Sequence, residues 1–160
     1  MLVLGIDPGF DRMGYGVIEE VKGKYIYHTA GSTETKKTKT ESERFLDIYN
    51  ATQDLLTTYK PDYVAVESLF FATNAKTAIS VGGARGVILL ACAIGKRNLV
   101  SYSPLEVKLA VTGYGRAEKS QVQQMIKTIL HLPVIPKPDD AADALGIALT
   151  HCFSYKIKQL

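Results

Sequence analysis

The chain is poor in the side chains that build sulfur-rich or zinc-dependent sites. It has two cysteines, Cys92 and Cys152, and three scattered histidines, His28, His131 and His151. Neither type falls at metal-ligand spacing, which argues against zinc and leaves the cysteines as reduced core thiols. No charged leader precedes an apolar segment and cleavage site, and the longest apolar stretch, around Val87 to Ile94, is too short to span a bilayer. The expectation is a cytoplasmic protein. Low-complexity tracts are also missing, and 160 residues leave no room for a second domain of ordinary size. A chain of this length buries about 70% of the surface its unfolded form exposes, enough for one packed core. The surplus of positive charge is small, +3, so where the cations sit matters more than their number.

What is present begins with Leu2-Val3-Leu4-Gly5-Ile6-Asp7-Pro8-Gly9, an apolar run that reads as a buried strand closed by a Pro-Gly turn. Asp7 is out of place in it. An unpaired buried carboxylate costs several kcal/mol, so this one must be protonated, salt-bridged or neutralised by a metal. Tyr15 to Ile18 and Tyr25 to His28 continue as strands with tight connections, an antiparallel meander. The polar stretch Ser32 to Thr40, with Lys36, Lys37 and Lys39, reads as a mobile surface loop that either only connects or binds a polyanion.

Thr40 to Glu43 has capping-box spacing, and Phe45, Ile48, Tyr49, Leu55 and Leu56 recur at helical intervals until Pro61. Tyr63-Val64-Ala65-Val66-Glu67 then repeats the opening pattern, an apolar strand that ends in an acid. A helix from about Ala75 to Gly95 is apolar on most of its circumference and rich in small residues, so it needs covering on two sides, by the sheet and by a partner subunit. Leu99 to Tyr102 reads as a strand. Ser103-Pro104 starts a short helix, a second runs from Glu118 to about His131, and the last begins at Asp139 or Asp140. This order predicts an α/β fold, a five-stranded mixed sheet with helices on both faces, over residues 1–155, with a short polar tail at 156–160.

Asp140 and Asp143 lie three apart, on one face of the last helix. The helix dipole accounts for an acid at Asp139 or Asp140 but not for Asp143, which sits among alanine and leucine. If the strands ending in Asp7 and Glu67 are neighbours and this helix crosses their ends, four carboxylates converge. No fixed arginine partner for each is evident in the flanking segments, and two divalent cations would relieve the repulsion. Hard oxygen ligands select Mg²⁺ or Mn²⁺. A pair held ~3.5 to 4 Å apart suits in-line displacement at phosphorus. Arg12, Lys76, Arg85, Lys108, Arg116 and Lys119 lie in or beside the segments that flank the acids and are the candidate phosphate contacts. Phe70 and Phe71, which follow Glu67 after Ser68 and Leu69, are candidates for stacking on an unpaired base.

Gly5-Ile6-Asp7-Pro8-Gly9 with Gly14-Tyr15-Gly16, Val66-Glu67 followed by Phe70 and Ala72 to Ala75, Gly113 through Gln123, and Asp140 to Leu145 together resemble the RuvC family of bacterial Holliday junction resolvases, in order and over nearly the whole chain. The resemblance implies an RNase H-like fold, a homodimer, Mg²⁺-dependent nicking of four-way DNA junctions and cooperation with RuvA and RuvB. It makes Asp7, Glu67, Asp140 and Asp143 the metal-binding catalytic acids and Phe70 the stacking aromatic. It also places Lys108 and Lys119 among the lysines needed for DNA cleavage. One departure is that Phe71 follows Phe70 at once, which leaves open which ring stacks. An RNase H-like nuclease acting on structured RNA, an inactive junction-binding module and an actin-like ATPase are the competing readings. The last is disfavoured because such enzymes enclose their nucleotide between two lobes.

Overall fold

In the computed structural model, which describes residues 1–68 and 75–157, the elements run β1 (Leu2–Asp7), β2 (Arg12–Val21), β3 (Lys24–Glu34), α1 (Glu41–Tyr59), β4 (Tyr63–Glu67), α2 (Ala75–Ile94), β5 (Asn98–Tyr102), α3 (Pro104–Thr112), α4 (Lys119–Ile129) and α5 (Asp139–Ile157). The five strands form one sheet in the order β3-β2-β1-β4-β5. β1, β2 and β3 pair antiparallel as the meander predicted, whereas β1, β4 and β5 are parallel and joined through helices. The sheet is mixed, as expected.

Alternation along the central strands decides which side chains meet which helices. Leu4 and Ile6 of β1, with Val64 and Val66 of β4, bury themselves against Ile48, Leu56, Ala84 and Ile88 of α1 and α2. Val3 and Ala65 point the other way, into a second layer with Val107, Ile126 and Leu145 of α3, α4 and α5. Asp7 and Glu67 share the parity of Val3 and Ala65. Both acids therefore emerge on the α5 face. Ile6 pairs with Val66, so the next residues, Asp7 and Glu67, leave adjacent strand ends together.

α5 lies unusually close to the sheet because alanines line its inner side and glycines line the strands. A Cβ at Gly5 would stand 2.0 Å from the Ala144 carbonyl oxygen, and one at Gly14 would stand 2.1 Å from that of Asp140. Only glycine permits this approach, which brings the first turns of α5 over the ends of β1 and β2.

The helix ends follow their sequence signals. Thr40 and Ser103 each accept from the backbone N–H three residues on while Glu43 and Glu106 reach back, completing two capping boxes. Two segments differ from the reading above. β3 continues to Glu34, and Thr35 is buried, donating from Oγ1 to the Phe10 carbonyl at 2.7 Å and accepting from Arg44 Nε at 2.8 Å. Much of the stretch taken for a mobile loop is thus fixed, because it closes over the β1–β2 turn. α5 also runs to Ile157, through the start of the supposed tail. Cys92 and Cys152 are both buried and unbridged, as expected.

Candidate active site

Four carboxylates from three elements gather near the ends of the central strands, Asp7 from β1, Glu67 from β4, and Asp140 and Asp143 from α5, and the last three all act on the first. Their mutual influence is strongest at Asp7. Burial, followed by the negative charge of Glu67, Asp143 and Asp140, pushes its carboxyl from 3.8 up to about 8. Glu67 is raised as well, by burial and then by Asp143. Asp143 is raised chiefly by burial, which outweighs the hydrogen bond and charge of Lys119.

The basic side chains define how far the acids gather. Lys119 Nζ donates to Asp143 Oδ2 at 2.8 Å and stands 3.6 Å from Asp139 Oδ2. Burial pulls Lys119 down, but Asp143 first, then Asp139 and Asp7, raise it on balance. Arg12 Nη1 donates to Asp140 Oδ2 at 3.3 Å, while its Nε and Nη2 hold Glu34 Oε1 at 3.0 and 2.6 Å. The expectation of no fixed arginine partner for each acid is corrected at Asp140 alone, while Asp143 is held by a lysine that the sequence reading does not pair with it. Among the described residues, no three His, Cys, Asp or Glu side chains stand close enough as placed to hold one ion. Asp140 and Asp143 instead have basic partners. The donor set still suits a hard divalent cation: it is all carboxylate oxygen, and Asp7 is buried among like charges whose ionised forms a bound cation would favour.

The remaining candidates separate by position. Lys108 and Lys119 line a cleft of about 260 Å³ with Glu67, Val107, Val122 and Asp143. On the other flank of the acids a cleft of about 350 Å³ is lined by Gly9, Phe10, Arg12, Ser80 and Asp140. Arg116 is exposed in the α3–α4 connection. Arg85 is engaged within the protein, donating from Nε to the Glu67 carbonyl at 3.1 Å and from Nη2 to Ser101 Oγ at 2.9 Å, so it braces the end of β4. Phe70 and Phe71 lie outside the described residues. Lys76 belongs to the first turn of α2, and its side chain is likewise not described. The histidines lie elsewhere: His28 pairs with Glu19, His131 occupies the turn after α4, and buried His151 shares a 2.8 Å hydrogen bond with the Tyr102 hydroxyl.

Three contributors were missed by sequence reasoning. Glu34 and Asp139 hold the second contacts of Arg12 and Lys119. Arg44, only 9% exposed, stacks its guanidinium 3.8 Å from the Phe10 ring centre and hydrogen-bonds Asp11, fixing the turn that presents Arg12. Arg44, by hydrogen bond and charge, holds the Asp11 carboxyl below its usual value. The β-rich pattern around Arg12 could have signalled its pairing with Glu34, but only once the strand register was known.

The comparisons with known proteins identify the family. The family model described as crossover junction endodeoxyribonuclease RuvC matches residues 3–151. The crossover junction endodeoxyribonuclease RuvC of Caldicellulosiruptor saccharolyticus is 48% identical over 155 residues, covering 96% of this chain and 93% of that protein. The structure of Thermus thermophilus RuvC superimposes with a TM-score of 0.92 at 37% identity, over 99% of this chain and 97% of the other. The same protein in complex with Holliday junction substrate gives 0.93 at 35% identity, over 99% and 96%. The fold is therefore RNase H-like. The chain belongs to the RuvC family of crossover junction endodeoxyribonucleases.

Proposed function

We propose that this protein is a structure-specific endonuclease that resolves four-way DNA junctions by paired symmetric nicks, leaving 5′-phosphate and 3′-hydroxyl ends, in recombination and repair. The observation that carries the reading is the gathering of Asp7, Glu67, Asp140 and Asp143 where β1 and β4 end and α5 begins. Glu67 and Asp143 line one cleft and Asp140 another, and burial and the other three acids push the Asp7 carboxyl up to about 8. Ionised together these carboxylates repel one another, and a bound divalent cation would offset both that repulsion and the charge of an incoming phosphate.

Asp7, Glu67, Asp140 and Asp143 would hold two Mg²⁺ ions, with Mn²⁺ able to replace them. When bound, such ions neutralise charge at the scissile phosphate and make the attacking water more acidic. The protein's own groups supply position. Lys119, at the cleft wall beside Asp143, offers a cation to the phosphoryl oxygens as negative charge develops there. Lys108 in the same cleft and Arg116 beyond it hold the backbone on either side, with Lys76 at the start of α2. These contacts orient DNA without reading its sequence. Arg85 keeps the β4 terminus, and with it Glu67, in place. Phe70 or Phe71 stacks on a base at the opened junction centre.

Paired nicks require two sites, which a two-fold homodimer supplies. The apolar stripe of α2 supports this: Ile79, Leu90 and Ile94 fall on one side of the helix and are 78%, 56% and 57% exposed. RuvA and RuvB are the partners of this reading, and the cytoplasm is its place. Among the described residues no helix is long and apolar enough to cross a membrane.

The test is to incubate the purified protein with a synthetic four-way junction, a duplex of the same sequence and a structured RNA, with and without Mg²⁺, and to map the nicks. Symmetric Mg²⁺-dependent nicks in the junction alone are expected. Preferential cutting of RNA, or nicking unaffected by chelator, overturns the proposal.

A further inference from the structure

The two basic side chains that touch the acids share an arrangement. Each contacts one of the four proposed ligands and one carboxylate outside that set: Arg12 spans Asp140 and Glu34, and Lys119 spans Asp143 and Asp139. For Arg12 the outside contact is the firmer one. Arg12 and Glu34 are direct partners in the β2–β3 ladder, so the sheet itself sets them side by side. Two guanidinium nitrogens reach Glu34, at 3.0 and 2.6 Å, whereas a single one reaches Asp140, at 3.3 Å. Giving up Asp140 would leave Arg12 still paired. The 350 Å³ cleft beside both residues leaves room for the side chain to withdraw.

We propose that Arg12 is a positioning residue that competes with the divalent cation for Asp140, with Glu34 as the partner it keeps when the cation wins. The inference rests on the reading of Asp140 as a cation ligand. Arg12 occupies Asp140 Oδ2, one of the two oxygens that this carboxylate could offer a cation. Binding through that oxygen would displace a charge-assisted hydrogen bond, and at either oxygen repulsion between the guanidinium and the ion opposes binding. Glu34 lowers the cost of the exchange by keeping the displaced guanidinium hydrogen-bonded. Without Glu34, all of the Arg12 fork is available to Asp140 and the ion faces a stronger competitor. The device weakens cation binding in the DNA-free protein and leaves Asp140 held in a fixed orientation until an ion arrives.

The test is Mn²⁺ binding to the DNA-free protein, read from the spin-resonance signal of free Mn²⁺, for the unaltered chain and for Arg12→Gln, Arg12→Lys, Glu34→Gln and Asp7→Asn, with thermal melts to confirm folding. Arg12→Gln is expected to tighten binding about two- to fivefold, the equilibrium equivalent of a partly exposed ion pair. Arg12→Lys decides the matter, because it keeps the charge and loses the fork that spans two carboxylates. It should tighten binding as Arg12→Gln does, while Glu34→Gln weakens it. Arg12→Lys binding Mn²⁺ like the unaltered chain would reduce the effect to long-range charge and overturn the proposal. Binding that is lost in Asp7→Asn but unchanged in Arg12→Lys and Glu34→Gln sinks this inference alone. An unaltered chain that takes up no Mn²⁺ sinks the cation-site reading beneath it as well.

Discussion

Lys119 Nζ donates to Asp143 Oδ2 at 2.8 Å, tying the first turn of α4 to the second turn of α5. The two side chains are 53% and 32% exposed, so solvent screens the pair and it contributes at most about 1 kcal/mol to stability. On the proposed function its importance is to chemistry. Lys119→Met should melt within a few degrees of the unaltered protein yet cut junctions on the order of a hundredfold more slowly, as loss of a preorganised cation at developing charge does. Single-turnover cleavage and a melt on the same sample check this. Near-normal cutting would remove Lys119 from the site.

Asp7 gives the protein a pH signature. Its carboxyl titrates at about 8 when folded against 3.8 ordinarily, so between those values the folded state holds a proton that the unfolded chain releases. Ion-free stability is then complete below the lower value and declines as pH rises through the upper one. Glu67 and Asp143, also raised, act in the same direction. Asp7→Asn removes the largest share. Since each tenfold change in proton affinity is worth about 1.4 kcal/mol, the variant should be more stable by a few kcal/mol in chelator at about pH 8, and no more stable at about pH 4. Cleavage should vanish. Melts at the two pH values decide it, and equal stability at both would mean that Asp7 ionises there without penalty.

The positions of these acids were legible because each depends on local pattern. Period-two alternation in Leu2 to Asp7 and Tyr63 to Glu67 sends both terminal acids to one face, and the three-residue spacing of Asp140 and Asp143 does the same on a helix. Their ion pairs were not legible. Glu34 reaches Arg12 only because of the β2–β3 register, and Lys119 reaches Asp143 only because α4 packs against α5. Arg44 shows the same limit. Its partners, Phe10, Asp11 and Thr35, are at least nine residues away, so a helical pattern around Arg44 carries no sign of them.

The closeness of α5 to the sheet can be tested at Gly14. An added Cβ would stand 2.1 Å from the Asp140 carbonyl oxygen, and that atom belongs to a helix backbone that cannot yield locally. Gly14→Ala should cost roughly 1 to 3 kcal/mol, the range for overpacking a tight contact. It should also impair cleavage beyond its effect on stability, because the displaced turn carries Asp140 and Asp143. Denaturant titration and cleavage at a temperature where the variant remains folded separate the two effects. Full activity in a destabilised variant would show that the acids tolerate movement of α5.

The apolar stripe on α2 makes the last prediction. Leu90 is 56% exposed, and the open position Gly86 lies one turn before it, where a Cβ would meet nothing within 4 Å. A charge placed there costs the isolated subunit little, since exposed positions tolerate substitution to within about 0.5 kcal/mol. In a two-fold interface the same charge appears twice, facing its own copy across desolvated apolar surface. Leu90→Glu should therefore leave the melting of a dilute sample nearly unchanged while converting dimer to monomer in sedimentation velocity. Junction resolution should fall with it, because one acid cluster can nick one strand but cannot make the symmetric pair. A Leu90→Glu protein that still sediments as a dimer would place the subunit contact on a different face, and the exposure of Ile79 and Ile94 would then need another explanation.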